Sequence, residues 1–218
     1  DIVAAVSVPV IADADTGYGG LLNVGRTVRR YEQSGVAAIH IEDQEYPKRC
    51  GHLDDKRVIP AEDMIPKIKE AVHARTDKDF LIIVRTDALA VTGWEDTMDR
   101  CHRYIDAGAD VLFVLGRTKE EIQYLRSELD GPLALQARPL STVTETGEEI
   151  PDIATTASFQ ELYELGLQIL NFWGGFSVAY QAMLDAMVDI KKSGGVGVVQ
   201  ERWMDWDTIK ELVGYPRI

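Results

Sequence analysis

The pentapeptide Lys48-Arg49-Cys50-Gly51-His52 sets a thiol among three basic side chains. Cationic neighbours favour thiolate over thiol, so Cys50 is a candidate proton donor or acceptor near neutral pH, with Lys48, Arg49 and His52 to tune it. The glycine that follows lets the backbone come close to a ligand. A second dense segment, Ala12-Asp13-Ala14-Asp15-Thr16-Gly17-Tyr18-Gly19-Gly20, follows the apolar run Val8–Ile11, and a third, Glu42-Asp43, follows Ala37–Ile41. Asp13 and Asp15, spaced i, i+2 at a strand end, project to one side of the pleat. With Glu42 from another strand they make an all-oxygen donor set suited to Mg²⁺, with Mn²⁺ as the alternative ion. Together the segments predict a metal-held anionic substrate facing an acid/base cysteine.

Short β-branched runs alternating with amphipathic stretches must carry these residues, as in parallel strands joined by crossover helices. Six such units are legible. Strands are expected at Val8–Asp13, Ala38–Asp43, Phe80–Thr86, Val111–Leu115, Leu133–Gln136 and Gln168–Trp173. Helices are expected at Leu21–Ser34, Ala61–Ala74, Trp94–Ala107, Lys119–Leu129, Phe159–Leu165 and Val178–Lys192, with a further one near Asp207–Val213. Gly35, Gly108, Gly166 and Gly194 fall where left-handed caps would end helices. Several strands end in polar residues (Asp13 and Asp15, Glu42 and Asp43, Arg85 and Asp87, Gln136 and Arg138), and in parallel α/β proteins the carboxyl ends of strands carry the site. Arg138–Thr156 lacks periodicity and reads either as a flap over the site or as a loop of no consequence.

At 218 residues, 45% hydrophobic and 27% charged, the chain reads as one globular domain spanning 1–218. Its net charge of −13 argues against nucleic acid and against anionic membrane as partners. Only two cysteines occur, in no paired metal-binding spacing, which fits a reducing cytoplasm. The first residues, Asp1–Val6, read like the last turn of a helix leading into a strand, as though something upstream were absent. Cys101 reads as a packed helix residue, and His40, between Ile39 and Ile41, is left unassigned. Gly17, Gly19 and Gly20 fit no dinucleotide fingerprint and read as a turn beside the metal. Trp203, Trp206 and Tyr215 suit a tail, 205–218, that packs on a partner subunit.

The strings Val10–Gly19, Ile39-His40-Ile41-Glu42-Asp43-Gln44, Lys48–His52 and Val84-Arg85-Thr86-Asp87-Ala88 resemble the isocitrate lyase and phosphoenolpyruvate mutase superfamily, most closely its methylisocitrate lyase branch, over nearly the whole chain. The resemblance implies a (β/α)₈ TIM barrel lacking its first two βα units here. It also implies a homotetramer exchanging its C-terminal helix, and Mg²⁺-dependent cleavage of C–C or, less often, C–P bonds in 2-hydroxy or 2-oxo acids. Carried over by position, Asp13, Asp15 and Glu42 match the metal-holding acids, Cys50 and Gly51 the lyase loop with Cys50 as catalytic acid, and Arg85 the arginine that grips a substrate carboxylate. Three positions depart: Leu115 stands where the branch has glutamate, Gln136 where it has asparagine, and Gln181 near a common arginine. They touch the pocket for the leaving acid, where Gln136 is the substrate-binding candidate.

The expected activity is cleavage of a small di- or tricarboxylic 2-hydroxy acid of the methylisocitrate or dimethylmalate type, with Cys50, Lys48 and His52 as catalytic candidates. The alternatives are an oxaloacetate hydrolase or a phosphonopyruvate or phosphoenolpyruvate mutase type of enzyme. From other classes come a non-catalytic fragment or regulatory paralogue, and an open six-stranded binding protein.

Overall fold

The computed structural model describes residues 1–51, 53, 55–137, 141–143, 149–172 and 174–215. The chain divides into two compact units, Asp1–Phe172 and Trp173–Ile218. In the first, the helical turn α1 (Ile2–Ala5) precedes β1 (Ile11–Asp13), α2 (Leu21–Gln33), β2 (Ala38–Glu42), α3 (Ala61–Ala74), β3 (Leu81–Thr86) and α4 (Trp94–Asp106). There follow β4 (Val111–Val114), α5 (Lys119–Glu128), β5 (Leu133–Ala137), β6 (Ser141–Val143), β7 (Glu149–Pro151), α6 (Ile153–Thr156), α7 (Phe159–Glu164) and β8 (Leu167–Phe172).

Six strands form one parallel sheet in the order β1-β2-β3-β4-β5-β8, with neighbours in space also neighbours in the βα rhythm. The α/β alternation and the six parallel strands read from the sequence are both present. β1 starts three residues later than expected because Pro9 has no N–H to give to a ladder. Within Arg138–Thr156, β6 and β7 pair antiparallel as a separate ribbon and α6 follows; residues 138–140 and 144–148 of that segment lie outside the described residues.

Alternation along the strands sends successive side chains to opposite faces. One face of the sheet carries Ile39 and Ile41, Ile82 and Val84, Leu112 and Val114, Leu133 and Leu135. These pack with Val24, Val28, Met64, Ile68, Tyr104, Ile122 and Leu125 of the helices into the main core. Truncating one of these isoleucines to alanine costs about 2–5 kcal/mol. The other face holds a smaller apolar cluster of Ala38, Ile83, Val111, Phe113, Leu115 and Ala134. Above that cluster the same face turns polar, and there the candidate site begins.

The second unit comprises α8 (Gly175–Ser193), a 3₁₀ segment (Val196–Arg202) and α9 (Trp206–Leu212). α8 begins three residues before the expected start, because the first turn of a helix needs no intrahelical N–H partners and so admits Gly175. It ends at Gly194, whose φ of 75° is the left-handed cap that the sequence marks. No described helix is long and apolar enough to cross a membrane.

Candidate active site

Strand register decides which side chains meet. Asp13 of β1 is paired with His40 of β2, and His40 with Ile83 of β3; one layer higher, Glu42 is paired with Arg85, and Arg85 with Phe113 of β4. Each row is a layer across the polar face of the sheet. Past the end of β1 the chain turns through Asp15, with φ 49°, and Gly17, with φ 83°, where an added Cβ would lie 2.6 Å from Val24. Asp15 donates its N–H to Asp13 Oδ1 at 2.8 Å and accepts the Glu42 N–H on its carbonyl at 2.8 Å, which locks the acidic turn to β2.

The three predicted metal carboxylates converge on one cation, the ammonium of Lys48. Its Nζ lies 2.7 Å from Asp15 Oδ1, 3.3 Å from Glu42 Oε1 and 3.5 Å from Asp13 Oδ2. Burial alone would lower the Lys48 pKa, but the hydrogen bond to Asp15 and the charges of Glu42 and Asp13 reverse that and raise it. Asp13 shows the converse: burial pushes it up, yet His40, with Nε2 at 3.0 Å, the Asp15 N–H and Lys48 hold it well below the usual carboxylate range. His40 also meets Phe113 edge-on at 5.9 Å, so its ring is fixed between an acid and an aromatic face.

Glu42 is fully buried, and neither carboxylate oxygen has a well-aligned hydrogen bond. Burial raises its pKa against the opposing charges of Arg85 and Lys48. A buried carboxylate lacking hydrogen bonds is a costly feature, and it is the donor that a hard cation would satisfy. Among the described residues no group of three His, Cys, Asp or Glu side chains closes at metal-binding spacing. The donor set nevertheless fits Mg²⁺ in kind: oxygen only, anionic, and already surrounding a positive charge.

Arg85 is buried; its Nη2 donates to Asp87 Oδ1 at 2.9 Å, its Nε lies 3.5 Å from Glu42 Oε2, and its guanidinium stacks 5.3 Å from the centre of the Phe113 ring. Against it sits Gly51, where a Cβ would fall 2.0 Å from Arg85 Nη2. Any larger residue there would have to displace the Arg85 guanidinium, which gives the glycine after Cys50 a geometric reason. Cys50 itself is exposed. The basic setting expected around its thiol is differently spent: Lys48 is committed to the carboxylates and Arg49 Nη1 lies 3.4 Å from Asp55, while His52 lies outside the described residues.

The loop from Gln44 to Val58 is closed by an antiparallel bridge between those two residues and by Ile59 N–H donating to the Asp43 carbonyl at 2.8 Å. Gln44 and Asp87, to which sequence reasoning gave no individual role, bind it inwards, and Asp43, likewise given none, anchors its base. Fully buried Asp43 accepts from Thr86 Oγ1, Tyr104 Oη, Arg100 Nη1 and the Asp87 N–H at 2.7, 2.9, 3.2 and 3.1 Å. Leu115 is buried in the apolar cluster, and half-buried Gln136 lies in register with Asn171. Gln181 belongs to the second unit.

The profile of the phosphoenolpyruvate phosphomutase family matches residues 1–191. The chain is 37% identical over 216 residues to a 2-methylisocitrate lyase of Shewanella oneidensis, covering 98% of this chain and 70% of the relative. It is 36% identical over 219 residues to a 2,3-dimethylmalate lyase of Eubacterium barkeri, covering 100% of this chain and 72% of the relative. A solved phosphonopyruvate hydrolase in complex with oxalate and Mg²⁺ superposes with a TM-score of 0.75 at 30% identity, over 98% of this chain and 71% of that one. A profile match over most of the chain, together with relatives above 30% identity along nearly all of it, places this protein in the isocitrate lyase and phosphoenolpyruvate mutase superfamily of enzymes.

Proposed function

We propose that the chain is a Mg²⁺-dependent carbon–carbon lyase that cleaves a small 2-hydroxy di- or tricarboxylic acid of the methylisocitrate or dimethylmalate type to a 2-oxo acid and a second carboxylic acid. The observation that carries this reading is the convergence of Asp13, Asp15 and Glu42 on a single cation, with Glu42 in register with the Arg85 whose guanidinium Gly51 abuts. Asp13, Asp15 and Glu42 would hold the metal, which when bound supplies Lewis-acid stabilisation of the charge that develops on the oxo acid's oxygens. The two lyase relatives support the bond cleaved, and the hydrolase complex with oxalate and Mg²⁺ supports the ion.

The remaining steps belong to the chain's own groups. Arg85, held by Asp87, Glu42 and the Phe113 ring, would grip a substrate carboxylate through its guanidinium, whose planar fork suits that task better than lysine does. Cys50 protonates the carbanion-like carbon of the departing acid before it can add back, while Lys48 and His52 balance carboxylate charge. Gln136 would contact the departing half.

The wider assignment is a cytoplasmic homotetramer that exchanges its C-terminal helix, within 205–218, between subunits, and a barrel of eight βα units of which this chain supplies six. Sequential parallel strand order and exposed Phe176, Tyr180, Met183, Met187, Trp203 and Trp206 support it. A panel of 2-hydroxy acids assayed with Mg²⁺ for the 2-oxo acid product tests the activity. Metal-dependent release from an alkyl-substituted acid is expected, and no release from any member of the panel would overturn the reading. Light scattering tests the oligomer: a monomer at micromolar concentration would exclude it.

A further inference from the structure

Asp87 lies two residues beyond Arg85, just past the end of β3, and is 1% exposed. Its two oxygens serve two different parts of the molecule. Oδ1 accepts from Arg85 Nη2 at 2.9 Å, and Oδ2 accepts from Gln44 Nε2 at 2.8 Å. Gln44, also buried, uses its remaining oxygen to accept the N–H of Arg49 at 2.9 Å. On the other side of the thiol, Lys56 Nζ donates to the Gly51 carbonyl at 2.6 Å and lies 3.9 Å from Asp87 Oδ1. The peptide flanking Cys50 is therefore held before and after the cysteine by two side chains that both lead to one carboxylate. That carboxylate also fixes the guanidinium against which Gly51 rests. The backbone of Asp87 is secured separately, by its N–H to Asp43 Oδ1 at 3.1 Å, so the side chain is not what closes the fold there.

We propose that Asp87 is a positioning residue: through Gln44 and Lys56 it sets the Cys50 peptide against Arg85, so that thiol and guanidinium address one bound acid together. Its effect on turnover rests on the lyase reading; its hold on residues 49–51 does not.

The test uses the full chain with Asp87→Asn, Gln44→Met and the double variant, read by amide hydrogen exchange and by kcat and KM on the acid that the wild type turns over. Either single change is expected to speed exchange in peptides covering 44–58 by about ten-fold or more, with Gln44→Met removing both its bond to Asp87 and its bond from the Arg49 N–H. Peptides of α3 and α4 should stay as protected as before, with kcat falling more than KM rises. Because Gln44 and Asp87 share the hydrogen bond between them, the losses in the double variant should be less than additive. Unchanged exchange in 44–58, acceleration spread evenly over the core, or strictly additive losses would each overturn the proposal. If the wild type turns over no acid, the lyase reading fails, and exchange in 44–58 alone then decides the positioning role.

Discussion

The ends of β1, β2 and β3 and the ends of β4 and β5 sit on the same face of one sheet, yet they are built from opposite materials. The first group presents Asp13, Asp15, Glu42 and Arg85 around the Lys48 ammonium, a set whose arrangement is dictated by charge. The second presents Phe113, Leu115, Ala134 and Gln136, whose arrangement is dictated by volume. Charge geometry tolerates little change, because Glu42 and Arg85 are buried and moving a partner would leave their charges uncompensated. An apolar wall can be recut at modest cost. On the proposed lyase reading, the first region would hold the oxo-acid end of the substrate and the second the part that distinguishes one acid from another.

That division can be broken most directly at the thiol. Cys50→Ser should lower kcat by roughly 10²–10⁴-fold, the range for losing a general acid, while calorimetric Mg²⁺ affinity stays unchanged. Equal turnover in the variant would remove Cys50 from the chemistry. Next in size, Arg85→Lys keeps the charge but not the fork, and kcat/KM should drop about 100-fold from losing the paired hydrogen bonds; steady-state kinetics showing a drop under five-fold would mean that Arg85 serves structure alone. On the other side of the divide, Gln136→Asn should shift the ratio of kcat/KM between two candidate acids by roughly ten-fold, the scale of one methylene. Metal affinity should stay as it was, and a change in it would show that the two regions are not separable. Smallest is the contrast between the two cysteines. Burial, with Asp43 nearby, pushes the Cys101 thiol up to about 12, and it has no solvent exposure. Iodoacetamide at pH 8 should therefore label Cys50 in the native protein and leave Cys101 untouched, as read by peptide mass spectrometry.

Much of the scaffold was legible because the sequence marks it locally. α3 occupies Ala61–Ala74 as read, since Pro60 and the loop before it leave only one place to start. The acidic turn and the Cys50 pentapeptide were legible as chemistry because their residue types are dense and unusual. Their partners were not. Lys48 read as a neighbour that tunes the thiol, but strand register places three carboxylates within 3.5 Å of it, and electrostatics then decides. Gln44 and Asp87 are 43 residues apart and look like ordinary loop polars in one dimension; only the pairing of β2 with β3 brings them to 2.8 Å. His40 stayed unassigned for the same reason, its role following from facing Asp13 across a strand pair.

Glu42 and Asp43 are successive residues pointing to opposite faces, one without an aligned hydrogen bond, the other accepting four. A slip of β2 by one residue would exchange them, putting the reactive carboxylate among helix side chains and its neighbour into the cleft. The grip of Arg100 and Tyr104 on Asp43 makes that error expensive. The bonds to buried Asp43 thus help hold β2 in the register that turns Glu42 toward the opposite face.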